Sequence, residues 1–176
     1  GFAKSACDVT VAVSEMAAET NIIYRRAFWK IPKKFFGLLN YKYLLINRLG
    51  ESLFPYYRNY GIEKFIHGAG KSMLAAIWAM MAWVLKKQLK LDKNGLLPEM
   101  HVSELGNSRL SLTTNGFYEK VTAGSIIAKK AEITRLYKGG AQLNTGEFVE
   151  LDHLICGTGW RQTISFVEEE ILQKIR

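Results

Sequence analysis

The spacing of apolar residues predicts one long helix near the middle of the chain. From residue 72 to residue 91, apolar side chains recur every three or four positions and share one helical face. The apolar run from 73 to 85 has 13 residues, whereas a helix that spans a membrane needs about 20. We therefore expect a buried or interfacial helix, capped by Ser72 and closed by three lysines. The shared face comprises Leu74, Ile77, Trp78, Met81, Val84, Leu85 and Leu89.

The start of the chain combines a helix with a short strand. Residues 5–19 predict a first helix, although its valines and threonine are weak helix formers. Residues 21–24, Asn-Ile-Ile-Tyr, predict a strand. A strand, helix, strand order with short links is the βαβ unit of α/β proteins. The first strand of that unit would precede Gly1, so we expect the chain to be a fragment of a longer protein.

The pattern changes twice after residue 26. Residues 27–70 are aromatic and basic and fit no simple period, which predicts an irregular or helical insertion. From about Arg109, short apolar segments separated by glycine turns predict an antiparallel meander. A last strand of buried type, residues 153–156, runs into the turn Gly157-Thr158-Gly159. The other strands of this part are expected at 117–121, 125–129, 133–137 and 148–151.

Composition and charge narrow the classes of function. The 176 residues suit one domain, or one domain with an insertion. The two cysteines suggest no disulfide framework, and the three histidines lack metal-ligand spacing. Residues 24–100 hold 14 Lys and Arg against 4 Asp and Glu, a charge of +10, whereas the rest of the chain carries −2 of the net charge of +8. This basic block favours an anionic partner, namely phosphate groups, a membrane surface or nucleic acid, although most of its side chains are expected to be solvated.

The first eight residues have the spacing of a dinucleotide-binding turn. Gly1 would make the tight turn, Ala3 lies where the backbone approaches a pyrophosphate, and Ala6 lies where the helix packs on the sheet. Ser5, at the expected helix start, would donate to a phosphate oxygen. Lys4 would add positive charge there, with its side chain pointing to solvent. Two of the three glycines of the motif are alanines, so an ordinary helix capped by Ser5 is the alternative.

Two arginines follow the predicted strand 21–24. At this strand end, domains that bind NAD carry an acid for the ribose, and those that bind NADP have a basic residue for the 2′-phosphate. Here the strand ends in Arg25 and Arg26, whereas Glu19 precedes the strand and lies at its wrong end. The planar guanidinium can hold a phosphate with two hydrogen bonds. If a dinucleotide binds, we therefore expect NADP; the alternative is a solvated arginine pair.

Three stretches together resemble the NADPH-binding half of the flavin-containing monooxygenase family. Ser5-Ala6-Cys7-Asp8 resembles the second nucleotide turn of that family. Tyr24-Arg25-Arg26, followed by Trp29-x-Ile31-Pro32, resembles its "RR, then W, then IP" run. Residues 152–160, Asp-His-Leu-Ile-Cys-Gly-Thr-Gly-Trp, resemble its D-x-V-I-x-A-T-G-Y segment. Residues 97–98 and 117–125 also resemble family segments, so the likeness covers nearly the whole chain in the right order.

The resemblance implies an α/β fold, in which a Rossmann-like NADPH-binding domain without its first strand carries a helical insertion and a β-meander. Residues 1–26 would start that domain, 27–108 would form the mainly helical insertion, and 109–160 the meander and return strand. Residues 161–176 would begin the crossing back to an FAD domain. The residues that this assignment places at the cofactor are Gly1, Ala3, Lys4, Ser5, Ala6, Arg25, Arg26, Thr158 and Gly159.

The family chemistry needs both NADP and FAD, and FAD would be held mainly by an upstream part of the protein. In the family, NADPH reduces FAD, the reduced flavin reacts with molecular oxygen, and the resulting flavin hydroperoxide oxygenates a small nucleophilic nitrogen or sulfur compound. We expect no catalytic residue in this chain, which alone would be inactive, and we read Asp8 as structural. The parent protein is expected in the cytoplasm, with membrane association and self-association left open.

Departures from the family pattern keep alternatives open. Ala3 and Ala6 replace glycines, Gly157 stands where alanine is usual, and Trp160 stands where tyrosine is usual. The parent could instead be a Baeyer–Villiger or N-hydroxylating flavoprotein, or the chain could be a non-catalytic NADP-binding module. A third class is a peripheral membrane or nucleic-acid binder, suggested by the basic block and its interleaved aromatic residues. No nucleic-acid recognition motif is present, so we expect no nucleic-acid partner.

Overall fold

A computed structural model describes residues 1–54, 58–106, 111–159 and 166–175. The chain is a mixed helix and strand structure with small sheets, compatible with the predicted α/β class. The helices are α1 (Lys4–Val13), α2 (Tyr41–Leu45), α3 (Arg48–Ser52), α4 (Ile62–His67), α5 (Lys71–Leu89), α6 (Phe117–Ala123) and α7 (Glu169–Ile175). The strands are β1 (Asn21–Tyr24), β2 (Lys34–Phe35), β3 (Leu39–Asn40), β4 (Ile127–Lys130), β5 (Ile133–Tyr137), β6 (Gly140–Leu143) and β7 (Phe148–Glu150).

Strands β1 and β4 form a parallel pair, in register from Asn21 opposite Ile127 to Tyr24 opposite Lys130. A parallel pair needs a crossover connection, and here helices α2 to α6 lie in that connection. On the other edge of β1, the backbone nitrogen of Gly1 donates to the carbonyl of Ile23 at 2.8 Å. The start of α1 is therefore attached directly to the parallel pair.

Helix α5 confirms the strongest prediction from the apolar pattern. It has 19 residues and buries Trp78, Leu85 and Leu89. It begins at Lys71 after Gly70 and has no side-chain cap, so the prediction that Ser72 caps it is wrong: Ser72 already lies inside the first turn. Of the helices that the structure describes, none is long and apolar enough to cross a membrane.

The strand predicted at 117–121 is wrong, because this segment lies in helix α6. Gly116 and Gly124 flank the helix with φ angles of 77° and 83°, which glycine adopts without the steric cost that other residues have. Phe117 and Tyr118 are buried, and Val121, one helical turn later, packs against the same core. This spacing suits one side of a helix better than the alternation of a strand.

Two other predicted elements differ from the structure. The first helix ends at Val13 and continues only as turns, because the run of β-branched residues there does not extend a helix well. Residues 153–156 form no strand, and Ile155 is 58% exposed. A strand needs a hydrogen-bonded neighbour, and the described residues place none beside this segment.

The meander is real but has different members. Strands β5, β6 and β7 form an antiparallel sheet, and β6 did not stand out in the sequence. Strand β4, predicted as part of the meander, pairs with β1 instead. Strands at 21–24, 133–137 and 148–151 are confirmed. Arg109, Trp160 and residues 161–165, which the domain boundaries involve, lie outside the described residues.

The main core lies between α1, the parallel pair, α5 and α6. Its buried side chains include Phe2, Tyr24, Trp29, Phe117 and Leu85. The Phe2 ring lies 4.9 Å from the ring of Tyr24 and 5.8 Å from that of Phe117. The residue after Gly1 thus fixes the start of α1 to the core, which limits how the first turn can move.

Candidate functional site

Two glycine segments that are far apart in the sequence meet at the start of α1. A Cβ atom added to Gly1 would lie 2.2 Å from the carbonyl oxygen of Gly157. A Cβ added to Gly157 would lie 2.9 Å from the Cβ of Ala6. Real Cβ atoms do not approach other heavy atoms so closely, so both positions require glycine as long as the backbones keep this distance.

The first turn of α1 presents small and polar residues to solvent. Ala3 is the N-cap with an extended backbone, and Ala3 and Ser5 are exposed. No side chain caps this end, so the alternative in which Ser5 acts as the helix cap is wrong. The free backbone N–H groups and the positive end of the helix dipole remain available to an anion at this end.

The sequence predicted that the Lys4 side chain points to solvent, but in the structure this side chain has two polar neighbours. Its ammonium group pairs with the Asp8 carboxylate one helical turn later and lies 3.4 Å from the hydroxyl of Thr114. The Thr114 hydroxyl donates to the same carboxylate at 2.6 Å. Burial alone would raise the pKa of Asp8, but the hydrogen bonds from Lys4 and Thr114 outweigh it and lower that pKa. Lys4 and Asp8 therefore link α1 to the segment before α6.

Backbone hydrogen bonds bring Thr114 to this position. The Ile31 N–H donates to the carbonyl of Ser111 at 2.9 Å, and the Thr113 N–H donates to the carbonyl of Ile31 at 2.9 Å. This parallel bridge holds the segment before α6 against the chain that follows β1. The contact between Asp8 and Thr114 was missed in the sequence, because nothing in the local pattern connects residues 106 positions apart.

Arg25 and Arg26 lie directly after the carboxyl end of β1, and both are exposed. Within the described residues, neither forms an ion pair. Arg26 lines an open cavity of about 420 Å³ beside the carboxyl ends of β1 and β4. The other lining residues are Tyr24, Ala27, Gly95, Leu97, Glu99, Met100, Glu104 and Lys130.

Lys130 and Glu99 bring opposite charges to this cavity. They form an ion pair; the hydrogen bond lowers the pKa of Glu99 and raises that of Lys130. Lys130 is the last residue of β4, and carboxyl ends of neighbouring parallel strands lie at one edge of a sheet. The sequence analysis placed residues 125–129 in the meander. Had they been assigned as the parallel partner of 21–24, this rule would have placed Lys130 beside the end of β1.

Thr158 and Gly159 follow the close contact at Gly157. Both are exposed, and Gly159 has a φ of 87°. The structure therefore brings the segment that contains them to the same end of α1 as Gly1 and Ala6, while Arg25 and Arg26 follow the neighbouring strand. Among the described residues, no group of His, Cys, Asp or Glu could hold a metal ion.

Comparison with known proteins adds no assignment. No family model matches the chain, and no curated protein matches it. The geometry places a glycine-lined contact at a helix N-terminus, next to a strand that is followed by two exposed arginines without an ion pair in the described part of the chain. Such an arrangement suits the binding of an extended ligand with phosphate groups.

Proposed function

We propose that this chain is the NADPH-binding part of an NADPH- and FAD-dependent monooxygenase. The observation that carries the proposal is the contact of Gly1 with Gly157 and Ala6 at the N-terminus of α1. In a dinucleotide-binding domain, small residues here allow the backbone to approach the pyrophosphate and the helix to pack closely. The positive end of α1 then suits the negative charge of that group.

The arginines support NADP over NAD in this proposal. Arg25 and Arg26 stand at the carboxyl end of β1, where the adenosine ribose lies in Rossmann-like domains. Neither has an ion pair within the described residues, so their donors are available to a 2′-phosphate. The cavity beside Arg26 would receive the neighbouring part of the adenosine.

The proposal also requires one more parallel strand. The backbone of β1 pairs with β4 on one edge, and on the other edge Gly1 donates to Ile23. In a Rossmann-like domain a strand leading into Gly1 would continue this second ladder. It would also lie between β1 and residues 153–156, whose apolar side chains are exposed.

When bound, FAD would supply the oxygen chemistry of the reaction. The residues of this chain would bind and orient NADPH, and residues outside it would hold FAD. The substrates would be molecular oxygen and a small nucleophilic nitrogen or sulfur compound, in the cytoplasm. Baeyer–Villiger and N-hydroxylating flavoproteins share this dinucleotide geometry, and the FAD-binding half would distinguish them.

The test is a comparison of NADPH and NADH binding to the full-length protein and its variants. Because charge-assisted hydrogen bonds contribute about 1.5–3 kcal/mol each, Arg25→Ala with Arg26→Ala should weaken NADPH binding by about tenfold or more. NADH binding should change much less, because NADH lacks the 2′-phosphate. Calorimetry measures both, and Lys87→Ala, an exposed charge on α5, is the matched control. Equal losses for NADPH and NADH would contradict the role of the arginines.

A second candidate function, contact with an anionic membrane surface, rests on one face of α5. Met73, Met80 and Trp83 are 50%, 61% and 57% exposed, and their spacing places them on one side of the helix. Exposed lysines lie at both ends of this helix, namely Lys71, Lys87 and Lys90, and would favour an anionic surface. Vesicles containing phosphatidylserine should bind the wild type at low salt and bind Trp83→Ala more weakly. Equal sedimentation with neutral and anionic vesicles would exclude this function.

A further inference from the structure

A buried lysine and a buried cysteine form the most unusual pair in the core. The Lys30 Nζ donates to the Cys7 Sγ at 2.9 Å. Lys30 is 1% exposed and Cys7 is 0% exposed. Lysine is almost never fully buried without a partner of opposite charge. Within the described residues no carboxylate accepts a hydrogen bond from Lys30, so a thiol is its polar partner.

The surroundings hold this pair in place. The Lys30 Nζ lies 4.7 Å from the centre of the Phe2 ring and 5.8 Å from that of Phe117. Cys7 belongs to α1, whereas Lys30 belongs to the segment between β1 and β2. The two side chains therefore join the first helix to the segment after β1 within largely apolar surroundings.

Burial favours the uncharged forms of both groups. It lowers the pKa of the Lys30 ammonium group, an effect that the nearby Cys7 partly offsets. It also raises the pKa of the Cys7 thiol, which Lys30 partly offsets. The lowered pKa increases the neutral fraction of the amine, and the neutral form carries a free lone pair. The amine nitrogen lies 2.9 Å from the sulfur, so rotation about the Cε–Nζ bond can turn this lone pair toward the sulfur. The amine is thus placed to react with any electrophilic form of that sulfur.

We propose that Cys7 and Lys30 form a modification site, at which peroxide oxidation of Cys7 is captured as a covalent bond between Sγ and Nζ. The proposal is independent of the proposed function. First, the sulfur attacks hydrogen peroxide, the O–O bond breaks, and one oxygen stays on sulfur as a sulfenic acid. The thiol proton leaves with the other oxygen as water.

The second step forms the cross-link. The Lys30 lone pair attacks the sulfenic sulfur, the S–OH bond breaks, and the hydroxide leaves as water with one amine proton. The product is a sulfenamide, which lacks two hydrogen atoms relative to the thiol and amine. Sulfenic acids condense with backbone nitrogen in the same way. The neighbouring amine should intercept the sulfenic acid before a second peroxide oxidises it further, since buried Cys7 meets peroxide only rarely.

Peptide mass spectrometry of the full-length protein after hydrogen peroxide treatment tests the proposal. Trypsin should no longer cleave after Lys30, so peptide 5–25 should appear joined to peptide 27–33, with a mass two hydrogens below their sum. Dithiothreitol should release both peptides. The cross-link should be absent from Lys30→Met and Lys30→Arg, of which the second keeps the charge. It should persist in Lys33→Met, an exposed lysine of the same segment.

The exposed Cys156 provides an internal measure of oxidant access. The proposal is overturned if Cys7 remains a thiol when Cys156 is fully oxidised, with urea-unfolded protein as proof that Cys7 itself can react. It is also overturned if Cys7 reaches the sulfinic acid while Lys30 stays unmodified. Circular dichroism shows whether each lysine variant is folded, and the wild-type result stands without them.

Discussion

The region around α1 and the segment 27–108 differ in how many large apolar side chains they expose. Phe2 and Phe117 are 3% and 0% exposed, whereas Leu38, Tyr43 and Trp83 are 87%, 76% and 57% exposed. Around α1, the backbone of Gly1 and Gly157 approaches so closely that no larger side chain fits at either position. The segment 27–108 also contributes buried side chains to the core, those of α5 among them. It differs from the α1 region because many of its other large apolar side chains face outward.

The largest expected difference between the two regions is in stability. Phe117→Ala should lower the free energy of unfolding by about 3–5 kcal/mol, because it removes a fully buried ring and leaves a cavity. Trp83→Ala removes an even larger side chain from an exposed position and should change it by less than about 0.5 kcal/mol. Urea titration of the full-length protein measures both. Similar losses for the two variants would mean that Trp83 is covered in the intact protein.

A smaller effect is expected at the contact between the glycine segments. Gly157→Ala places a Cβ 2.9 Å from that of Ala6, and such overpacking should cost about 1–3 kcal/mol of stability. It should also weaken NADPH binding, because α1 must shift. Thr158→Ala, at the exposed neighbouring position, is the control and should leave stability unchanged. An unaltered Gly157→Ala protein would show that the two segments are farther apart than described.

The smallest effect concerns the pH dependence contributed by Asp8. Its folded pKa is lowered, so its stabilising contribution is present above the unfolded pKa of about 3.9 and is lost as the pH falls through the lowered folded pKa. Because the side chain is 46% exposed, Asp8→Asn should cost less than about 1 kcal/mol at pH 7. This difference from wild type should disappear in acid. Urea titrations at several pH values would reveal it, and Thr114→Val should weaken the same dependence.

Sequence reasoning succeeded where the signal was local. The periodic apolar positions of α5 and the short run of β1 were sufficient for both elements, because each buries one side through its own spacing. It failed for α6, because a segment of seven residues fits the spacing of a helix and that of a strand about equally well. The left-handed glycines on both sides, which mark the helix ends, are visible only in the structure. Sequence reasoning also assigned β4 to the meander, since strand pairing depends on residues more than 100 positions away.

The candidate site was predicted in part. Motif spacing singled out Gly1 and the arginines after β1, and their role in binding a cofactor stays a prediction. The contact of Gly157 with Ala6, the bonds of Asp8 with Thr114 and the buried pair of Lys30 with Cys7 were not. Each of these contacts joins residues from different elements, and the local pattern of a single sequence does not show which distant residues come together in the fold.

The most direct test of the central claim is the visible absorption spectrum of the full-length protein, recorded before and after anaerobic addition of NADPH or NADH. We predict a flavin spectrum that NADPH bleaches much faster than NADH, because in the proposed function Arg25 and Arg26 would bind the 2′-phosphate. Absence of flavin would contradict the monooxygenase proposal, and bleaching at equal rates by both nucleotides would contradict the role of the two arginines.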